Sequence, residues 1–225
     1  MRRPSVVRDA LLVALTVASG AVDAISYLGL GGIFTANMTG NMVLLALAAG
    51  SGAGSQALRA GISLVAFSAG VFVSARIMRA PDDASLWPRR ITTTLAVVAT
   101  LQAGVLAGWL ATSGHPSGAV EGGLISLSAL AMGAQGSAIR TMNVSGVSTT
   151  YLTGTLVGLV TQLAVWSGSP GEAARRAGVL VALLAGAAVA AVLLVNARSL
   201  APILPLALTV SVIVVASGAF AQRVG

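Results

Sequence analysis

Apolar residues occupy most of the chain in long runs that short polar or charged breaks separate. Uncharged runs of about 18 residues or more are typical of transmembrane helices. The prolines lie in the breaks or near the ends of runs, which leaves the helix interiors intact. The pattern predicts an all-α, polytopic membrane helical bundle with apolar segments at about 10–30, 34–50, 57–79, 91–113, 119–139, 149–167, 174–197 and 203–221.

A polar motif occurs twice within these segments. Residues 35–41 read TANMTGN, and residues 149–155 read TTYLTGT. Thr39 and Thr153 lie 114 residues apart (153 − 39). A second pair, Arg-Ala-Gly at 59–61 and at 176–178, follows each motif. The chain is therefore predicted to be a single membrane domain, 1–225, in which repeat 1 covers about 9–113 and repeat 2 about 119–222.

The arginines indicate how the repeated unit crosses the membrane. If all eight segments span, the thirteen arginines divide seven against six between the two sides. If segments 34–50 and 149–167 each enter and leave by one face, only Arg59 and Arg198 lie outside. Cytoplasmic loops are enriched in Lys and Arg, which favours the second topology. It places both termini in the cytoplasm.

Length supports the same topology. Residues 34–50 would form a helix of about 25 Å, shorter than the roughly 30 Å hydrocarbon core. Three spanning helices per half are an odd number, so the halves must have opposite orientation. We expect two inverted repeats, each of three spanning helices plus one re-entrant or broken helix.

The paired motifs are candidates for a binding site. Asn37, Thr39 and Thr153 can cap helix N-termini, whose positive dipole ends favour an anion or a ligand's carbonyl or carboxylate. Alternatively, the small residues only pack helices closely. Equivalent positions in two halves favour a site near the membrane midplane. Its predicted solute-binding residues include Asn37, Thr39, Gly40 and Asn41 in the first copy, and Thr153, Gly154 and Thr155 in the second.

Asp23 differs from the other acids because it lies well inside a predicted helix. A carboxylate near the bilayer centre is costly, so it must face the protein interior. It could carry a proton or bind a cation. It could equally be tied to helix N-termini or to Ser and Thr hydroxyls, where it would hold the re-entrant loop. Its partner at the repeat offset is Ser137, so no pair of acids is expected.

Uncharged polar residues complete the candidate site. Tyr27 flanks the first motif, and Gln102, Gln135 and Gln162 lie within apolar segments. Each could line a solute path. For the glutamines, hydrogen bonds between helices are the favoured interpretation, because such bonds commonly join membrane helices. Tyr27 and Gln135 are counted with Asp23 among the predicted solute-binding residues.

Composition excludes several functional classes. Charged residues make up 8% of the chain, against about 25% in soluble domains. The net charge of +7 comes from arginines at segment ends, so no nucleic-acid partner is expected. Cysteine is absent and histidine occurs once, which removes thiol chemistry, Cys-based metal sites and His clusters. Because enzyme signatures are also lacking, we expect a non-enzyme with no cofactor and no metal.

Two stretches resemble a known family. GAVDAISY at 20–27, followed by FTANMTGN at 34–41, resembles the YoaK-like family of bacterial multi-pass membrane proteins. GAQG at 133–136 and the second Thr-Gly motif are similar to that family's second signature. The resemblance implies a bacterial inner-membrane protein. The family is known as a domain of unknown function, so the resemblance implies no substrate.

The leading hypothesis is a small secondary transporter or channel for a polar or anionic small solute. Its partners would be the lipid bilayer and an unknown small solute, and assembly into a homo-oligomer is left open. The alternative is a non-transporting membrane component, such as a partner subunit, assembly factor or sensor, whose motifs only pack helices. A hydrated cavity reaching Asp23 and Asn41 would favour transport, and a dry, packed centre would favour the alternative.

Overall fold

The computed structural model describes residues 4–79, 86–142, 152–165 and 169–220. This part of the chain is helical and contains no strand. A short 3₁₀ turn, Arg198–Leu200, joins the last two helices. The α-helices are α1 (Pro4–Gly29), α2 (Met38–Ser51), α3 (Gly54–Ile77), α4 (Arg89–Ala111), α5 (Gly118–Thr141), α6 (Leu152–Ala164), α7 (Pro170–Asn196) and α8 (Ile203–Phe220).

In the described part of the chain, six helical segments are long and apolar enough to cross a membrane. They have 23 to 27 residues and comprise α1, α3, α4, α5, α7, and α8 together with the 3₁₀ turn. By contrast, α2 has 14 residues and α6 has 13. The structure confirms the predicted all-α, polytopic helical bundle.

Two apolar clusters show in which direction each helix runs. Leu12 at the start of α1 clusters with Leu95 near the start of α4 and with Ile139 at the end of α5. We call this the basic end. Ile25 near the end of α1 clusters with Trp109 at the end of α4 and with Ile125 near the start of α5. We call this the Trp109 end.

The remaining spanning helices follow from the same clusters. Ala60 of α3 and Leu194 of α7 belong to the cluster at the Trp109 end, so α3 begins there and α7 ends there. Val212 places the second half of α8 at the basic end. Consequently α1, α4 and α7 run toward the Trp109 end, whereas α3, α5 and α8 run toward the basic end. Each helix of the first half is opposed in direction to its counterpart in the second.

The two halves interlock through equivalent contacts. α1 packs against α7 and α8, and α5 packs in the same way against α3 and α4. A Cβ added at Gly20 would collide with the backbone carbonyl of Leu183, and one at Gly133 with that of Phe67. The lack of side chains therefore lets both helix pairs cross closely. Such small-residue contacts replace the hydrophobic drive that helices lack in lipid.

The short helices return to the end from which they started. α1 ends and α3 begins at the Trp109 end, so the chain between them, including α2, does not cross the bundle. At the basic end, Asp9 of α1 lies 3.7 Å from Arg175 near the start of α7. Because α5 ends there too, the chain that includes α6 also returns. The position of α2 and α6 relative to a bilayer stays a prediction.

This arrangement reproduces the arginine division expected from the sequence. Of the described arginines, only Arg59 and Arg198 lie at the Trp109 end, beside Glu121 and Gly114 respectively. The others are at the start of α1 or α7, in the first turn of α4, or near the ends of α3 and α5. They are Arg8, Arg76, Arg79, Arg89, Arg90, Arg140, Arg175 and Arg176.

Substitution of the crossing glycines tests the interlocked halves. We expect Gly20→Ala or Gly133→Ala to lower the free energy of unfolding by about 1–3 kcal/mol, because the methyl group would force packed backbones apart. Gly123→Ala, on the exposed side of α5, is the matched control, since a Cβ there meets no atom within 4 Å. Thermal unfolding in detergent measures the difference. Equal midpoints for Gly20→Ala and Gly123→Ala would contradict the close crossing.

Candidate functional site

A break in the chain after α1 forms the centre of the candidate site. Gly31 and Gly32 both have a φ of 76°, a left-handed conformation that glycine adopts without strain. They reverse the chain, so that residues 33–37 fold back along α1 and Thr35 lies beside Asp23. This stretch is largely buried, so its backbone N–H groups need hydrogen-bond partners within the protein.

Asp23 supplies those partners. Its Oδ1 accepts hydrogen bonds from the backbone N–H groups of Ala36 at 2.7 Å, Thr35 at 3.0 Å and Asn37 at 3.4 Å. Asp23 therefore holds the break in place, which is the second of the two roles that the sequence left open. Among the described residues, no hydrogen-bond partner is seen for Oδ2. A role of Asp23 in carrying a proton or binding a cation stays a prediction.

Asn37 and Asn41 fix the start of α2. Asn37 is the N-cap, and its Oδ1 accepts from the N–H of Gly40 at 3.3 Å, as the sequence predicts. Asn41 is fully buried. Its Oδ1 accepts from Phe34 N–H at 2.9 Å, and its Nδ2 donates to the Phe34 carbonyl and, at 3.0 Å, to Ser63 Oγ of α3. The Asn41 amide is thus used within the protein, where it ties α2 to the break and to α3.

Thr35 joins the break to the second half. Its hydroxyl is fully buried and lies 3.4 Å from Ser26 Oγ of α1 and 3.3 Å from Ser128 Oγ of α5. Tyr27 points away from this interior. Its ring stacks on Phe34 with centroids 5.1 Å apart, and about half of the residue is exposed.

The structure does not bring the two Thr-Gly elements together. α2 packs mainly against α3, and α6 packs mainly against α7. The physical reason is the short connection after each of them, which makes each short helix the antiparallel neighbour of the next long helix. Thr39 and Thr153 are exposed, Gly40 and Gly154 are partly buried, and Thr155 is buried. Residues 149–151 of the second motif lie outside the described residues.

The close helix contacts also correct the residue offset that relates α1 to its counterpart α5. Gly20 and Gly133 occupy equivalent crossings and lie 113 residues apart (133 − 20), not 114. On this register Asp23 corresponds to Gly136 rather than Ser137. The expectation of a single acid is unaffected, since neither residue is acidic. The carboxylate that holds the break after α1 therefore has no acidic counterpart at the equivalent position of α5.

Buried glutamines lie between the halves. Gln135 of α5 donates from Nε2 to Ser19 Oγ at 3.1 Å and to the Leu15 carbonyl at 3.4 Å, which confirms that it bonds between helices. Its Oε1 is buried with no partner in the described part of the chain. Gln102 of α4 is buried, and neither of its amide atoms has a partner among the described residues.

Gln102 is a candidate site residue whose role the sequence does not reveal. It lines a cavity of about 20 Å³ together with Ser128 of α5 and with residues of α1 and of the first turn of α8. Buried amides nearly always have hydrogen-bond partners, so an unpaired one needs an explanation. The only signal in the sequence is a glutamine inside an apolar segment, and this does not reveal which helix faces it.

Six spanning helices in two opposed halves, with buried polar groups between them, define a polytopic α-helical membrane protein. The chain belongs to the family described as "Protein of unknown function (DUF1275)", whose model matches residues 11–216. It is 38% identical over 153 residues to the UPF0700 transmembrane protein YoaK of Bacillus subtilis (strain 168). That match covers 68% of this chain and 66% of the relative. No solved structure matches the chain.

These matches confirm the resemblance seen in the sequence. The family's description names no activity, and the relative's name says only that it is a transmembrane protein. Function must therefore be argued from the geometry of the helices and their polar residues.

The role of Asp23 in holding the break can be measured. We expect Asp23→Ala to lower the free energy of unfolding by about 1–3 kcal/mol, because it leaves backbone N–H groups of the break unpaired. Asp23→Asn is the matched variant, since its amide oxygen can still accept those hydrogen bonds. Its free energy of unfolding should fall by less than that of Asp23→Ala. Unfolding in detergent–SDS mixtures measures both. If Asp23→Ala proves as stable as wild type, the carboxylate does not hold the break.

Proposed function

We propose that this protein is a small secondary transporter or channel of the bacterial inner membrane, with its solute path between the two opposed halves. The observation that carries the proposal is the non-helical break after α1, which Asp23 holds beside the interface of the halves. Inverted repeats with broken helices are typical of transporters, in which one half rocks against the other around a central site.

The hydrogen bonds of the break favour an uncharged polar solute over an anion. An anion would need the free N–H groups and the positive dipole at the start of α2. Asp23 already occupies three N–H groups there, and Asn37 occupies that of Gly40. A second negative charge would also lie close to the Asp23 carboxylate. Of the two solute classes expected from the sequence, polar and anionic, these hydrogen bonds therefore favour the polar one.

The positive-inside rule orients the proposed transporter. The basic end would face the cytoplasm, and the Trp109 end would face outward. Both termini would then be cytoplasmic, and α2 would dip into the membrane from outside. The break would lie about six residues, or roughly 9 Å of helix, from the outer end of α1.

A non-transporting membrane component remains the second candidate, and the exposed faces of the short helices favour it. α2 exposes Met42, Val43 and Leu47, and α6 exposes Val157 and Leu163. Lipid would cover these faces in a monomer. In a homo-oligomer or a complex with a partner subunit, another protein would cover them.

Cysteine labelling tests the topology, because the natural chain has no cysteine. We expect cysteines at Ser51 and His115 to react with a membrane-impermeant maleimide in intact cells, and one at Arg89 to react only after lysis. All three residues are exposed. A topology of eight full crossings puts each of them on the other side. Labelling of Arg89→Cys but not Ser51→Cys in intact cells would contradict the re-entrant arrangement.

Solute flux into proteoliposomes tests the transport proposal. We expect wild-type protein to raise the permeability to at least one of glycerol, urea and formate above that of protein-free liposomes, measured by stopped-flow light scattering. Asp23→Ala should abolish the increase because the break is released, and Asp23→Asn should retain part of it. Thr39→Val, on an exposed position, should change it little if the path lies between the halves.

The solutes also distinguish the proposed substrate classes. A larger increase for formate than for glycerol or urea would favour the anionic solute. If wild-type protein leaves the permeability to all three unchanged and conducts no smaller molecule either, the non-transporting candidate becomes the better explanation.

A further inference from the structure

Three helices place side chains in matching layers along the centre of the bundle. α1 and α4 run toward the Trp109 end, and α5 runs toward the basic end. Residue numbers therefore increase toward the Trp109 end in α1 and α4 but decrease toward it in α5. Val22, Val98 and Met132 belong to one apolar cluster. One turn nearer the Trp109 end, Gln102 and Ser128 line a cavity that Val22 also borders. One turn nearer the basic end, Gln135 bonds to Ser19. An apolar layer therefore separates two polar layers.

The polar layer at the Trp109 end has the properties of a binding site. Gln102 is 4% exposed, and its amide N–H and carbonyl groups both lack partners among the described residues. The side chain borders the cavity, and Ser128 supplies a hydroxyl on the opposite helix. A buried amide left without hydrogen bonds is costly. The rest of the lining is apolar, and the space beside the two polar side chains is large enough for about one water molecule.

The chemistry of the lining defines the ligand. Gln102 offers one donor group and one acceptor group, and Ser128 offers a hydroxyl that can act as either. Among the described residues, none with a charged side chain borders the cavity. A ligand that satisfies both sides of the amide must itself donate and accept hydrogen bonds, and it must be uncharged and about the size of a water molecule.

We propose that Gln102 and Ser128 bind one water-sized, uncharged, hydrogen-bonding molecule, such as water or ammonia, and that the layer of Val22, Val98 and Met132 is the barrier this molecule must pass. This inference rests on the proposed transport function and specifies which class of solute the protein would transport. Beyond the barrier the molecule meets the Oε1 of Gln135, which is also unpaired within the described residues. Solutes larger than water require the two halves to move apart.

Hydration of the site can be measured without any transport. Water-edited solid-state NMR in proteoliposomes reports how fast water polarisation reaches a side chain. We expect the Gln102 amide, assigned by the loss of its signal in Gln102→Leu, to receive polarisation at least about threefold faster than the Met132 methyl group, which has no polar atom to hold water. Equal rates would overturn the site, whether or not the protein transports anything.

Flux of two water-sized probes tests the path. Osmotic shrinkage measures water, and alkalinisation of trapped pyranine after addition of ammonium chloride measures ammonia. We expect Gln102→Leu to lower the permeability to at least one of them by about tenfold, as expected for one lost hydrogen bond, and Ser128→Ala to lower the same one. Met132→Ala should raise it by opening the barrier.

Ser68→Ala is the matched control, because this serine is exposed and, within the described residues, its hydroxyl bonds only to its own helix. Folding of each variant is checked by its unfolding midpoint, and Ser128→Ala serves if Gln102→Leu does not fold. Suppose that Gln102 proves to be hydrated but that Gln102→Leu leaves the permeability to both water and ammonia unchanged. This result would refute the proposed path and the proposed solute class. If wild-type protein conducts none of the probes or larger solutes, the transport proposal fails, and the NMR rates still decide whether the site exists.

Discussion

The hydrogen bonds from the break to the Asp23 carboxylate are the interactions on which the architecture depends. Non-helical backbone is tolerated at membrane depth only when its polar groups find partners inside the protein. A single oxygen atom of Asp23 satisfies three N–H groups, and Asn37 and Asn41 complete the turn into α2. With the break stabilised, α2 can return to the Trp109 end. Each half has three long apolar helices among the described residues, and this odd number makes the halves opposite in direction.

The fold could be predicted from the sequence because its main signals are properties of the chain alone. Arginine positions, segment lengths and the repeat at residues 39 and 153 are independent of side-chain contacts. They give the direction of each helix and the return of α2. The cap at Asn37 is equally local, since an N-cap depends on residues within one turn. Asp23 was singled out because its cost in lipid demands a partner, although the sequence could not decide between structure and proton transfer.

The candidate site was harder to predict because it depends on which helices are neighbours. Equivalent positions in two repeats need not meet, and Thr39 and Thr153 lie on different hairpins. Gln102 looked like an ordinary residue for bonding between helices, and only the packed bundle shows that nothing in the described part of the chain bonds to it. The one-residue difference in register between α1 and α5 has the same origin. It becomes visible only where Gly20 and Gly133 touch a neighbouring backbone.

The interlocking of the halves has a consequence for biosynthesis. α1 leaves the ribosome well before α7 and α8, which are its principal neighbours. Until α7 and α8 have been made, lipid or the insertion machinery must cover the face of α1 that later packs against them. This face includes Gly20 and Val17, which lies against Gly186 in the folded protein. Native packing of α1 can therefore be completed only after α7 and α8 have been made, and a nascent chain that stalls before α7 leaves α1 without its main partners.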